Sequence, residues 1–161
     1  MAYTSSLIAA IFVKIAIAER KYLTQMKLQK IVYFAHGYHL AKYNQPLVED
    51  DFQAPLVGPY LLQVHYDYLF YGTSYIFETS YSRYEEADTA DIKDVSKSAR
   101  DAIIYTWNRT KKISRVKLWD WVHLPDSPWA KVYREGDDER IIDNDIIQDY
   151  FKNFLSNNIT A

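Results

Sequence analysis

Apolar residues recur at helical spacing in six stretches of the chain, separated by polar, glycine or proline breaks. In the first, Leu7, Ile8, Ile11, Phe12 and Ile15 share one face, and Thr4 or Ser5 can cap the helix. The second starts at a Thr24 cap, with Leu23 and Leu28 placed as a hydrophobic staple. Its apolar set, Leu28, Ile31, Val32, Ala35, Tyr38 and His39, is widened by Tyr33, Phe34, Leu40 and Ala41, so this helix is expected at the centre of the fold. Gly37 lies inside it and predicts a close helix contact, because glycine otherwise costs about 1 kcal/mol there. Asn44 and Pro46 stop it.

Beyond that stop, Phe52-Gln53-Ala54 reads as extended, since Pro55 pushes its predecessor out of helical space. Gly58-Pro59 predicts a third helix with proline in its first turn and Leu62, Val64, His65, Tyr68 and Leu69 inward. Tyr75-Ile76-Phe77 alternates and predicts a second short strand. Residues 78–91 are polar and acidic and read as a loop. Helices from about Asp94 and after a Ser114 cap follow, then a turn bounded by Pro125 and Pro128. Asp143 can cap a last helix with Ile146, Ile147, Tyr150, Phe151 and Phe154 inward. The expected fold class is mostly α (α+β): a compact single domain of about six helices with a small β element. Residues 156–161 read as a frayed C-terminal tail.

Composition narrows the chemistry. Cysteine is absent from the 161 residues, which excludes disulfides, thiolate metal sites and thiol nucleophiles. The apolar run 7–18 is broken by Lys14 and is too short to span a bilayer, so a cytoplasmic protein with no membrane partner is expected. Net charge is −2, which gives no overall pull toward nucleic acid. Locally, residues 93–117 carry eight basic and two acidic side chains, whereas residues 134–149 carry seven acidic and two basic ones. These read as solvated faces or as sites for a charged partner. Tyrosine, at 15 residues, is the compositional outlier; it offers contact area, few rotatable bonds and a hydroxyl, which suits protein interfaces.

Active-site patterns do not assemble. His36 and His39 stand three apart on one helix, a spacing that can address one metal, with His65 or His123 as a third ligand. However, His39 falls in the apolar stripe and no glutamate sits between the pair. Core or interface histidines that position buried carbonyls are the expected reading, and no metal or cofactor is expected. With four glycines in all, phosphate-binding and dinucleotide loops cannot be built, and no nucleophile elbow is present. Arg109, Lys111, Lys112, Arg115 and Lys117, with Trp107 and Trp119 beside them, form the best nucleic-acid candidate but lack a helix-turn-helix pair. Neither an enzyme nor a nucleic-acid binder is the expectation.

Two blocks carry a family resemblance. The first is Lys27-Leu28-Gln29-Lys30, then Tyr33-Phe34-Ala35-His36-Gly37-Tyr38-His39-Leu40-Ala41, Pro46-Leu47 and Gly58-Pro59. The second is Val122-His123, Ser127-Pro128-Trp129, Ile141-Ile142 and residues 146–151. In this order they resemble the Panacea antitoxin domain, a family grouped with SocA-like antitoxins and phage-associated proteins. The resemblance runs over roughly residues 7–154 and implies one Panacea-like domain over residues 1–155. Pro55, Val57, Tyr60 and Asn44 depart from the family's usual residues.

The resemblance implies an antitoxin that neutralises a cognate toxin by direct protein–protein binding. Its alternative is an adaptor that presents the toxin to a protease, or a prophage protein of another role. Leu28, Gln29, Lys30, Tyr33, Phe34, His36, Gly37, Gly58 and Pro59 are implied to be structural. His39, His123 and Trp129 are implied to do more than pack, and Tyr60, where the pattern breaks, is expected to reach the partner.

Overall fold

Threonine hydroxyls start the first two helices. In the computed structural model, which describes residues 2–80 and 90–158, Thr4 accepts from the Leu7 N–H at 3.2 Å and Thr24 from the Lys27 N–H at 3.3 Å. Helix α1 spans Ser5–Ala18 and α2 spans Gln25–Tyr43, ended by Asn44 in the left-handed region. A two-residue strand β1, Phe52–Gln53, precedes the six-residue α3, Leu62–Asp67, and a 3-10 turn at Leu69–Tyr71. Ser96 and Ser114 cap α4, Lys97–Thr110, and α5, Arg115–Val122. Then come α6, Pro128–Val132, strand β2, Ile141–Ile142, and α7, Asn144–Asn158. Among the described residues no helix is long and apolar enough to cross a membrane.

α2 is the axis. Residues 28–40 are buried without interruption, and α1, α4, α5 and α7 all pack on it. Phe151 of α7 lies edge-on to Tyr33 and Phe34, at 5.5 Å between ring centroids in each pair. Its ring occupies the space beside Gly37, so a Cβ there would collide with it. The close contact expected at Gly37 is therefore with α7.

Polar residues of α2 are satisfied inside the protein. The His36 ring is fully buried; its Nδ1 accepts from the Leu47 and Val48 N–H groups, both at 3.3 Å, and its Nε2–H donates to Asn144 Oδ1 at 2.9 Å. One neutral tautomer satisfies all three bonds, and burial holds its pKa down at about 4. At the next turn Asp101 Oδ2 of α4 accepts from Tyr38, Tyr43 and Lys42, at 2.6–2.9 Å. Burial alone would raise that carboxyl, but hydrogen bonds from Tyr43, Lys42 and Tyr38 hold it below its ordinary value.

Several local expectations change. Gly58-Pro59 does not open α3. Gly58 has φ +104°, and Tyr60 exchanges backbone hydrogen bonds with Gln53, so helix begins only at Leu62. The second strand is Ile141–Ile142, antiparallel to β1; at 75–77, where one was expected, a single bridge joins Tyr75 to Thr24. The turn bounded by Pro125 and Pro128 forms, and a short helix not expected there, α6, follows it, because Ser127 caps it and Pro128 takes its first position. Leu62 and Leu69 point outward, while Leu61, Val64 and Tyr68 are buried. Most of the loop predicted over 78–91, and residues 159–161 of the tail, lie outside the described residues. Residues 156–158 continue α7.

Two measurements probe this framework. Gly37→Ala should lose about 1–3 kcal/mol despite its better helix propensity, and Gly37→Leu more, because Phe151 must be displaced. Chemical denaturation that finds Gly37→Ala more stable would show that α7 yields. For His36 the folded pKa is depressed, so its contribution is complete above pH 6.5 and lost as pH falls toward 4. The loss should be on the order of 3 kcal/mol. A His36→Asn variant, less stable overall, should show a correspondingly flatter stability profile across that window.

Candidate groove and aromatic wall

One turn apart on α2, two glutamines hold the next segment of chain by its backbone. Gln29 Oε1 accepts from the Leu61 N–H at 2.8 Å, and its Nε2 donates to the Leu61 carbonyl at 2.9 Å. Gln25 Nε2 donates to the Tyr68 carbonyl at 3.2 Å, and its Oε1 pairs with His65 Nδ1 at 3.0 Å. Buried amides leave no bonding capacity idle without cost, so these four bonds fix residues 61–68 against α2. That fixation sets which way α3 faces. Its inner stripe is Leu61, Val64 and Tyr68; its outer stripe, continued by the 3-10 turn, is Leu62, Tyr66, Leu69 and Phe70, also apolar and exposed among the described residues. Phe70 is 82% exposed and Tyr66 60%.

Beside this stripe runs a groove of about 580 Å³, walled by Tyr60, His65, Tyr66 and Leu69 and rimmed by Asp138 and Glu139. A second hollow of about 290 Å³ shares Met26, Gly72 and Thr73 with it and is lined by Lys30, Arg115, Val116 and Trp119. The two hollows adjoin at these shared residues; Asp138 and Glu139 line the first, Lys30 and Arg115 the second. Tyr60 is half-buried, its ring 5.5 Å from His65, and burial pushes its phenol up to about 12.

A column of rings runs from the wall of the second hollow. The Lys30 ammonium lies 5.1 Å from the Trp119 ring centroid; His123 stacks on Trp119 at 4.4 Å, and Trp129 meets His123 edge-on at 4.4 Å. The Trp129 indole N–H donates to the Pro55 carbonyl. His123 lies within hydrogen-bond distance of a carbonyl on each nitrogen, Trp119 at 2.6 Å and Leu56 at 2.8 Å. The loop 55–58 is thus tied to α5 and α6. Gly58 completes the tie, since a Cβ there would lie 3.0 Å from Val122 Cγ2 and 3.3 Å from His123 Cε1.

The structure brings Tyr60, His123 and Trp129 to this side of the molecule. It does not bring His39, which lies about 13 Å farther along α2 from Lys30. His39 is buried, its Nδ1–H donating to the Gln45 carbonyl at 2.6 Å and its Nε2 accepting from the Ser98 hydroxyl at 2.9 Å. The carbonyl-positioning role expected of the histidines holds at His39 and His123. At His36 the ring accepts from backbone N–H groups instead. Leu28, Tyr33 and Phe34 are core. Among the described residues no group of three or more histidine and acidic side chains is placed to hold a metal.

Sequence reasoning missed the outer stripe of α3. The available signal was a short helix apolar on two faces, one more than the core can use. The basic run also separates. Trp107 is buried with its indole N–H on Glu19 at 2.8 Å, and Lys111 pairs with the same carboxylate at 3.3 Å. Only Arg115 and Trp119 of that set reach the groove.

The stretch from α2 through the first turn of α6 contains the glutamine brackets, the Lys30 hollow and the ring column. No curated protein and no solved structure matches the chain. Residues 28–130, nearly two-thirds of the sequence, match the family described as antitoxin SocA-like, Panacea domain. The chain belongs to that family.

Proposed function

We propose that this protein is the antitoxin of a toxin–antitoxin pair and neutralises its cognate toxin by direct binding along the groove between α2, α3 and α5. The observation that carries this reading is the outer stripe of α3. Leu62, Tyr66, Leu69 and Phe70 form a contiguous apolar edge, continued by Val116 and Trp119 across the groove, on a protein whose core is already complete. Contiguous exposed apolar surface of this kind marks protein interfaces, and aromatic side chains within it are the usual anchors. Family membership supplies the kind of partner. Occlusion of the toxin is the simplest mechanism, because binding alone suffices and no catalytic group is required of the antitoxin.

The test is co-expression with the protein encoded beside this gene. Growth should be restored by the wild type and not by a Tyr66→Ala/Phe70→Ala variant. That variant should melt within a few degrees of the wild type, since both rings are largely in solvent. Each ring should contribute about 2 kcal/mol, or thirtyfold in Kd, if it anchors the contact. Tyr60→Ala should also weaken binding without early melting. Toxicity relieved equally well by the double variant would move the interface elsewhere. A neighbour that is toxic and not relieved by the wild type would end the antitoxin reading.

A further inference from the structure

Lys30 is the buried charged residue of the groove, and the fold holds its ammonium only loosely. It is 2% exposed, yet no carboxylate among the described residues pairs with it. Its ammonium has only two long contacts, to the Met26 and Val57 carbonyls, both at 3.4 Å. An ammonium carries three donors, and a buried one is normally paired. Here the side chain lines the apolar hollow between Val116 and Trp119, and Arg115 at the rim adds a second positive charge with no acid in the lining.

We infer that Lys30 is a receptor for an aspartate or glutamate side chain of the bound toxin, presented between apolar residues that fill the hollow against Val116 and Trp119. The geometry fits this chemistry at three points. The hollow is small and apolar, so it accepts one side chain with its flanking methylenes. The Trp119 ring beside the ammonium supplies a wall that excludes water, where a charge-assisted bond is strongest. The adjoining groove carries Asp138 and Glu139, so an acidic segment is directed to the Lys30 hollow by repulsion as well as attraction.

Burial has already lowered the Lys30 pKa to about 8, and this gives the docking a pH signature. A carboxylate raises the lysine pKa on binding, so association takes up a proton whenever pH exceeds about 8. The charged or titratable groups lining or flanking the two hollows are Arg115 on α5, His123 against the same Trp119 ring, and His65, Tyr60, Tyr66, Asp138 and Glu139 in the adjoining groove. A Lys30→Met control retains every one of them.

This inference rests on the antitoxin reading, and the probe is the purified protein encoded beside the gene, titrated into the full chain by calorimetry from pH 7 to 9.5. The wild-type Kd should weaken by about tenfold or more between pH 7.5 and 9.5. Lys30→Met should bind about thirtyfold or more weakly at pH 7 and lose that dependence. Equal affinity and equal pH profiles for wild type and Lys30→Met, with Tyr66→Ala/Phe70→Ala still impaired, would overturn the Lys30 assignment and leave the interface standing. No binding by the wild type would overturn both. Should Lys30→Met fail to fold, a flat wild-type profile above pH 8 overturns the assignment by itself.

Discussion

A helix buried on every side has to satisfy its polar side chains from within, and the rest of this structure follows from how α2 does so. Five polar residues of α2, Gln25, Gln29, Lys30, His36 and His39, are almost entirely shielded from water. Four reach out to fixed partners: Gln29 to Leu61, Gln25 to Tyr68 and His65, His36 to Leu47, Val48 and Asn144, His39 to Gln45 and Ser98. Most of these partners are backbone groups of loops, which would otherwise need bonds of their own. Each polar residue therefore works as a bracket that pins one passing segment to the axis. Lys30 holds its loop partner, the Val57 carbonyl, only at 3.4 Å, and it is the one that opens on a hollow.

The bracket logic explains what was legible in the sequence. Caps depend on one hydroxyl or one left-handed residue, so Thr4, Thr24, Asn44 and Ser114 were all readable in place. Gly37 was readable because mid-helix glycine has a cost that only close packing offsets. Pairing across distance was not. β1 joins strand β2 some ninety residues later, and a two-residue strand carries no period to recognise. Gly58-Pro59 failed for a related reason. The local pattern favours a helix start, but the Leu61 backbone is claimed by Gln29, whose amide imitates one rung of a ladder.

The site was half legible. Family resemblance singled out His123 and Trp129, and a break in the family pattern singled out Tyr60; all three lie along the groove or its wall. His39 carries the same kind of motif signal but serves a bracket, because sequence similarity does not separate residues that hold a loop from residues that meet a partner. Trp107 and Trp119 look equivalent on the chain, yet Glu19, far away in sequence, draws the first into the core. The outer stripe of α3 was hidden by its own ambiguity: with apolar residues on both faces, only the glutamine brackets decide which face is outward.

This division of labour has a consequence for recognition. The groove floor is held by bonds that a substitution would leave unsatisfied, at about 1–3 kcal/mol each, so its shape is preorganised before any partner arrives. The wall residues Leu62, Leu69, Phe70 and Val116 have no polar side-chain atoms to satisfy and stand largely in solvent. They can change without disturbing the core. On the reading proposed above, such a scaffold separates stability from specificity: α2 fixes the groove, and the outer faces of α3 and α5 choose the occupant. Opposite charge in the two adjoining hollows, Arg115 and Lys30 against Asp138 and Glu139, then biases the direction in which a segment lies.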